Sequence, residues 1–446
     1  MLLLCLAVPR TVPAASTPCS VNGRLSIKNG KVVNSSGKTF VIKGVSTHGI
    51  AWYPDYISKA AFKTLRDQWG VNTIRLAMYS AEYNGYCTGG NKTQLLALID
   101  KGVKYANDLG MYVIIDWHIL SDGNPLTYKS QANSFFKTVA KKYSGYKNVL
   151  YEICNEPNGS GGSWSNIRAY AKTIIKTIRS VDKKAIIIVG TPTWSQDVEK
   201  ACASPITGYS NIAYAFHFYA GTHQESMRNR LEAVLKKKLP VIVTEFGISE
   251  ASGGGKANTA QGNKWMTLLN KYGVGRVCWN LSNKNETCAL LKSGCTKKSG
   301  WSSSDLSASG SWLVKQYTGK SVVTPTPTPS PSSSSESAKS SGTVKLTSTA
   351  RKVNSWKSGG SCYTQYSVTV KNTGSKTSSG WTLKVTMSAA FSLDNSWCAD
   401  YKKSGQTLTI TPLSWNKAIT AGSSTEIGFI VKASGDESIR AISISS

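Results

Sequence analysis

Eight short apolar, β-branched runs recur along the first two-thirds of the chain: Phe40–Ser46, Val71–Met78, Tyr112–His118, Val149–Glu156, Ala185–Gly190, Ile212–Tyr219, Pro240–Phe246 and Gly273–Asn280. Most are continuously apolar rather than alternating, as strands buried on both faces must be. Between them the apolar residues take helical spacing, as in Phe62, Leu65 and Trp69, or in Leu95, Leu98 and Gly102 behind the polar start Asn91-Lys92-Thr93. Strands alternating with helices in this number predict an α/β fold, a (β/α)8 TIM barrel over residues 16–320, and about 300 residues suit a barrel of typically ~250 plus loops. The pattern then breaks into Val322-Val323-Thr324-Pro325-Thr326-Pro327 and a serine run. Alternating Pro holds an extended chain that buries no core, so 321–342 reads as a Pro/Ser/Thr linker with a reach of roughly 60 Å at ~3.1 Å per residue. From 343 to 446 the period becomes two, in Tyr366–Lys371, Trp381–Met387, Thr407–Thr411 and Glu426–Val431, which predicts a C-terminal all-β sandwich.

Polar residues gather at one end of the barrel runs. Asn155-Glu156-Pro157 closes the fourth and Glu245 the seventh, so both carboxylates emerge where a parallel barrel opens and where this fold carries its chemistry. A single buried Glu is explained as well by an ion pair; two at matched positions point to paired-carboxylate catalysis. Glycoside hydrolysis needs one carboxyl to protonate the leaving oxygen and another to meet positive charge at the anomeric carbon, and a separation of ~5–5.5 Å leaves room for direct attack but not for water. Arg75 would hold Glu245 ionised, and that charge would raise Glu156. Asn155 suits the sugar 2-hydroxyl. The four His residues form no metal-ligand pattern, so His118 and His217 read as hydrogen-bonding groups, with no metal and no cofactor expected. Trp279 ends the eighth run, and Trp52, Trp117 and Trp194 lie in or after other strand ends as platforms for sugar rings. Trp69, spaced with Phe62 and Leu65, reads as packing.

From about Cys19 to about Thr318 the chain resembles glycoside hydrolase family 5. The resemblance rests on Gly44-Val45-Ser46-Thr47-His48-Gly49, Thr73-Ile74-Arg75-Leu76, Ile115-Asp116-Trp117-His118, Asn155-Glu156-Pro157, Phe216-His217-Phe218-Tyr219, Thr244-Glu245-Phe246-Gly247 and Val277-Cys278-Trp279-Asn280. It implies Glu156 as acid/base and Glu245 as nucleophile. Arg75, His118, Asn155, His217, Tyr219 and Trp279 would form the surrounding shell, with His48, Trp52 and Trp194 also on the substrate. The C-terminal segment resembles a family 2 carbohydrate-binding module through Ser379-Gly380-Trp381-Thr382, Pro412-Leu413-Ser414-Trp415-Asn416 and Ile427-Gly428-Phe429. That likeness implies a core role for Trp381 and a cellulose-binding strip of Trp356, Trp397 and Trp415. Members often join their two ends by a disulfide; here the only pair is Cys362 and Cys398. The whole combination looks like the secreted cellulases of plant-parasitic nematodes.

The net charge of +29 divides into +7 after residue 341, from twelve Lys and Arg against five Asp and Glu, and +22 before it. So spread a charge serves solubility or weak attraction to acidic pectin. Short clusters such as Lys236-Lys237-Lys238, without recognition motifs, argue against nucleic acid. An apolar start ending near Val12-Pro13-Ala14 reads as a signal peptide, 1–15, whose removal takes Cys5. Cys154 and Cys278 read as unpaired packing residues and Cys288 with Cys295 as a local pair, while Cys19, Cys87 and Cys202 stay unassigned. No apolar run approaches the ~20 residues that span a membrane. The expected protein is a secreted, monomeric, retaining endo-β-1,4-glucanase acting on cellulose and related wall glucans. A xylanase or mannanase is the nearest alternative, and a non-catalytic wall-binding protein the alternative from another class.

Overall fold

The computed structural model describes residues 16–320 and 343–446, apart from Gly359, Cys398, Ser414, Trp415 and a few module side chains that include Trp356 and Trp397. The expected signal peptide, the linker, the Cys362–Cys398 pair and the Trp356/Trp397/Trp415 strip therefore lie outside the described residues. The two compact units are taken separately.

In the first unit the strands are Lys43–Thr47, Thr73–Tyr79, Tyr112–His118, Val149–Glu152, Ile187–Val189, Ile212–Tyr219, Val241–Gly247 and Arg276–Leu281. They pair in parallel and in chain order, and the eighth closes on the first, giving the expected barrel. The fourth strand stops at Glu152, not at Glu156 as the apolar run suggested. Beyond it Ile153 and Asn155 still donate backbone N–H to the Ile188 and Trp117 carbonyls of the neighbouring strands, at 2.9 and 3.1 Å, and Glu156 follows at the irregular carboxyl end of that run. Gly273, expected to begin the eighth strand, caps the preceding helix in the left-handed conformation (φ 65°), which glycine adopts without a Cβ penalty.

Phe62, Leu65 and Trp69 are buried on the helix Lys59–Trp69, and the Asn91 side chain caps Lys92–Asp108 by accepting from Gln94 N–H at 3.1 Å. A hairpin, Ser26–Lys28 with Lys31–Val33, closes the floor, where Leu25 and Val32 meet Phe40, Ile42, Ile114 and Ile242. A larger apolar layer fills the space between strands and helices. The packed floor leaves the opposite face as the place for a site.

The second unit is a pair of four-stranded antiparallel sheets. One runs Leu346–Ser358, Ser361–Asn372, Ser424–Ala433, Ser392–Trp397, and the other Asp400–Ser404, Thr407–Thr411, Thr382–Met387, Ile439–Ser445. Alternate residues of Ser361–Asn372 face inward, among them Tyr366, Val368 and Val370. Trp381 is buried with them and donates its indole N–H to the Asn416 carbonyl at 2.9 Å. Trp381→Ala should cost the module roughly 3–5 kcal/mol by leaving a cavity. Calorimetry of the whole chain should show the module's transition lowered, with the barrel's transition unchanged.

Candidate active site

The carboxyl ends of the strands converge on one buried guanidinium. Arg75, fully buried in the second strand, donates from Nε to Glu152 Oε2 (2.8 Å), from Nη1 to Glu245 Oε2 (3.1 Å) and from Nη2 to Asn155 Oδ1 (2.6 Å). Asp116 Oδ2 lies 3.1 Å from Nη2 as well. Glu245 also accepts from the Tyr219 hydroxyl at 2.7 Å. On the other side His217 places Nδ1 2.9 Å from Glu156 Oε1 and Nε2 2.9 Å from Thr244 Oγ1, which donates to Glu152 Oε1 at 2.7 Å. One chain of polar contacts thus runs from Glu156 through His217, Thr244, Glu152 and Arg75 to Glu245. Oxygens of Glu156 and Glu245 come within 4.8 Å of each other.

The titration of these groups follows from burial and charge. Burial, then the charge of Glu245, raises Glu156 to about 6 against the lowering contact with His217. Glu245 goes the other way: burial opposes ionisation, but His217 and Arg75 hold it below the usual carboxylate range. Burial would lower His217, yet its contacts toward Glu152 and Glu156 outweigh that and raise it to about 9. Glu152, despite its burial, is held at about 2 by Arg75 and His217, whereas at Asp116 burial outweighs Arg75 and raises it well above the usual carboxylate range. Below about pH 6 two cations, Arg75 and His217, therefore face ionised Glu152 and Glu245 while Glu156 holds its proton, and above that pH Glu156 ionises as well. Glu156, His217 and Glu245 each offer an atom within 4.8 Å of the others, and both His217 nitrogens are already engaged, by Glu156 and Thr244.

Above this layer lies a cleft of about 490 Å³ lined by His48, His118, Tyr219 and Trp279 together with Trp194, Lys284 and Glu286. A shallower depression of about 950 Å³ shares Ser252, Lys284 and Glu286 with it, so the cleft is open at that end. Trp279 stacks on His118 (5.1 Å, 17°), and Trp52, on the rim, stacks on His48 (5.0 Å, 29°). The Gly49 N–H donates to His48 Nδ1 at 2.7 Å, and burial, then Lys284, lowers that imidazole to about 3, so it is neutral with its proton on Nε2. His118 is likewise held near 3 by burial, with Nδ1 2.6 Å from Asp116.

Most of the expected barrel residues gather here, with Trp52 stacked beside His48, but Trp117 does not and not every role is the expected one. Asn155 is fully buried, with Oδ1 committed to Arg75 and its amide donating to the Ile119 carbonyl at 3.0 Å. Trp117 is not a platform: its neighbours Asp116 and His118 point inward, so strand alternation turns it outward against Tyr86 and Phe135. The Cys288–Cys295 pair does not form. Both thiols are free, Cys288 contacting Glu286 Oε1 at 3.1 Å and Cys295 the Lys297 carbonyl at 3.8 Å. Cys154 and Cys278 are buried and unpaired, as expected. Sequence reasoning missed Asp116, Glu152 and Thr244 beneath the site and Lys284 and Glu286 beside it.

Comparison with known proteins agrees with this geometry. Residues 33–285 match the family described as Cellulase (glycosyl hydrolase family 5), and residues 346–444 match the Cellulose binding domain. Endoglucanase A of Butyrivibrio fibrisolvens is 46% identical over 297 residues, 66% of this chain and 68% of that one. An endoglucanase of Clostridium saccharobutylicum is 43% identical over 349 residues, covering 78% of this chain and 77% of its own. Among solved structures, the catalytic domain of a Thermobifida fusca endoglucanase in complex with cellotetraose superposes with a TM-score of 0.64 at 33% identity, over 68% of this chain and 99% of that domain. With its barrel, its paired glutamates and these matches, the chain belongs to the cellulases of glycosyl hydrolase family 5 and carries a C-terminal cellulose-binding domain.

Proposed function

We propose that this protein is a secreted, retaining endo-β-1,4-glucanase that cuts internal bonds of cellulose and is tethered to it by the C-terminal module. The observation that carries the mechanism is the approach of Glu156 and Glu245 oxygens to within 4.8 Å, the spacing of direct attack rather than of an intervening water. Glu245 attacks the anomeric carbon while Glu156 gives its proton to the glycosidic oxygen, whose bond to that carbon breaks. Once Glu245 is an ester its charge is gone, so the repulsion that raised Glu156 falls away and the new carboxylate, beside cationic His217, is stable. Glu156 then takes a proton from water, the hydroxide oxygen bonds to the anomeric carbon, and Glu245 leaves as carboxylate. Two inversions retain the configuration.

Arg75, His217 and Tyr219 set the charge of the pair, Asn155 orients Arg75, and His48, His118, Trp52, Trp194 and Trp279 bind the sugars. We take residues 16–320 as the hydrolase, 321–342 as the tether and 343–446 as the module, with Trp356, Trp397 and Trp415 as its cellulose-facing strip and 1–15 as the export signal. The excess of lysine supports a weak, salt-sensitive attraction to acidic pectin. The enzyme is read as a monomer. Viscosity loss and reducing ends measured in parallel on carboxymethylcellulose, xylan and mannan test the activity. The expected result is a rapid fall in viscosity with few new ends on carboxymethylcellulose alone; preferential action on xylan or mannan would reassign the substrate.

A further inference from the structure

Thr193, Trp194 and Ser195 are three successive non-glycine residues in the left-handed region, with φ of 58°, 54° and 57°. Side chains avoid this conformation, and a run of three persists only where the surroundings over-determine it. They do so here. Ser195 Oγ donates to the Asn155 carbonyl at 2.6 Å and accepts from Thr191 N–H at 3.2 Å; the Trp194 N–H donates to the Pro157 carbonyl at 3.1 Å. Thr193 Oγ1 donates to Asp197 Oδ2 at 2.8 Å, and Asp197 is held in turn by Arg230 at 2.6 Å. Gly190 completes the seam, since a Cβ there would stand 2.2 Å from the Cys154 carbonyl. The chain on either side of Glu156 is thus stitched to this turn, while Trp194 itself projects into the cleft with 45% of its surface exposed.

We propose that the turn Thr193–Ser195 is a positioning device that fixes Trp194 as the platform for the leaving sugar and, through Ser195, holds that platform in register with the proton donor Glu156. This rests on the hydrolase reading above. A leaving sugar seated on Trp194 presents its glycosidic oxygen to Glu156 only if the two segments keep their spacing, and Ser195, a positioning residue that touches no substrate, sets it. Leaving groups without a sugar do not need the register.

The test compares cellopentaose, which places sugars on both sides of the scissile bond, with β-cellobiosyl fluoride, whose leaving group neither reaches Trp194 nor depends strongly on proton donation. Ser195→Ala should lower kcat/KM on cellopentaose by about 10–100-fold, mostly in kcat, as small misplacements of reacting groups do, and change it less than about 3-fold on the fluoride. Thr193→Gly, which relaxes the backbone without emptying a buried site, should fold at least as stably and raise KM for cellopentaose alone. Parallel losses on both substrates, or no loss on either, would overturn the proposal, and Thr193→Gly decides if Ser195→Ala does not fold. A wild-type enzyme that fails to cleave cellopentaose would sink the hydrolase reading instead.

Discussion

Glu245→Gln and Glu156→Gln should each remove nearly all hydrolysis of cellulose while leaving the thermal transition of the barrel in place. The loss is expected near or beyond the ~10⁴-fold top of the range for acid–base groups, because an amide keeps the shape but neither attacks carbon nor gives up a proton. The pH profile carries the assignment of roles. Turnover needs Glu156 protonated and Glu245 ionised, so kcat/KM should fall on the alkaline side as pH passes about 6 and on the acid side only below the ordinary range of a glutamate. On β-cellobiosyl fluoride the alkaline limb should vanish in Glu156→Gln.

Azide separates the two carboxyls chemically. In Glu156→Ala it should attack the glycosyl-enzyme, displace the Glu245 carboxylate and give a β-azide. In Glu245→Ala it should take the nucleophile's place directly and give the α-azide. The reverse pattern of products, read by NMR, would exchange the roles proposed for the two residues.

The pair was legible because each glutamate stands in a short local motif at the end of an apolar run. The support beneath it was not. Asp116 and Glu152 are carboxylates inside strands that otherwise read as apolar, and nothing local says which buried cation they meet. A signal existed all the same: carboxylates buried amid apolar runs require a partner, and Arg75, in the middle of Thr73–Tyr79, is a candidate cation, whereas Lys43 and Arg276 stand at the first position of their strands. Glu156 was placed on the strand because Ile153 and Cys154 continue the apolar run. Those residues are buried in the same core and keep backbone contact with the neighbouring strands, so hydropathy does not mark where the regular ladder ends. Cys288 and Cys295 are close in sequence, but pairing depends on where the side chains point, and Cys288 points into the cleft. In the module, the strand Asp400–Ser404 escaped notice because its exposed, lysine-bearing sequence lacks alternation, as suits the edge of a sheet.

Arg75 should be the position at which stability and catalysis fail together. Its guanidinium spreads charge over Glu152, Glu245 and Asp116 and holds Asn155, with every partner buried. Removing one side of such a cluster typically costs ~3–5 kcal/mol, so Arg75→Met should lower the barrel's melting temperature by roughly 10 °C. Lysine concentrates its charge at one point and does not reach three acceptors, so Arg75→Lys should recover part of the stability and little of the activity. The sign of the pH dependence follows from Glu152, whose pKa is depressed from 4.5 to about 2 in the folded protein. Its contribution is complete above the unfolded value and is lost as pH falls toward 2, so the difference between wild type and Arg75→Met should shrink below about pH 4.5.

Adding Glu152→Gln to Arg75→Met removes one of the stranded charges and should return a substantial part of the lost stability. It should not return activity, because Glu245 still lacks one of the two cations, His217 and Arg75, that together keep it ionised. In whatever activity remains, the acid limb should stand at higher pH than in wild type. Thermal scans and pH–rate profiles of the single and double variants measure both effects. A double variant that recovers turnover along with stability would mean that Arg75 serves the fold alone and that Glu245 owes its charge to His217.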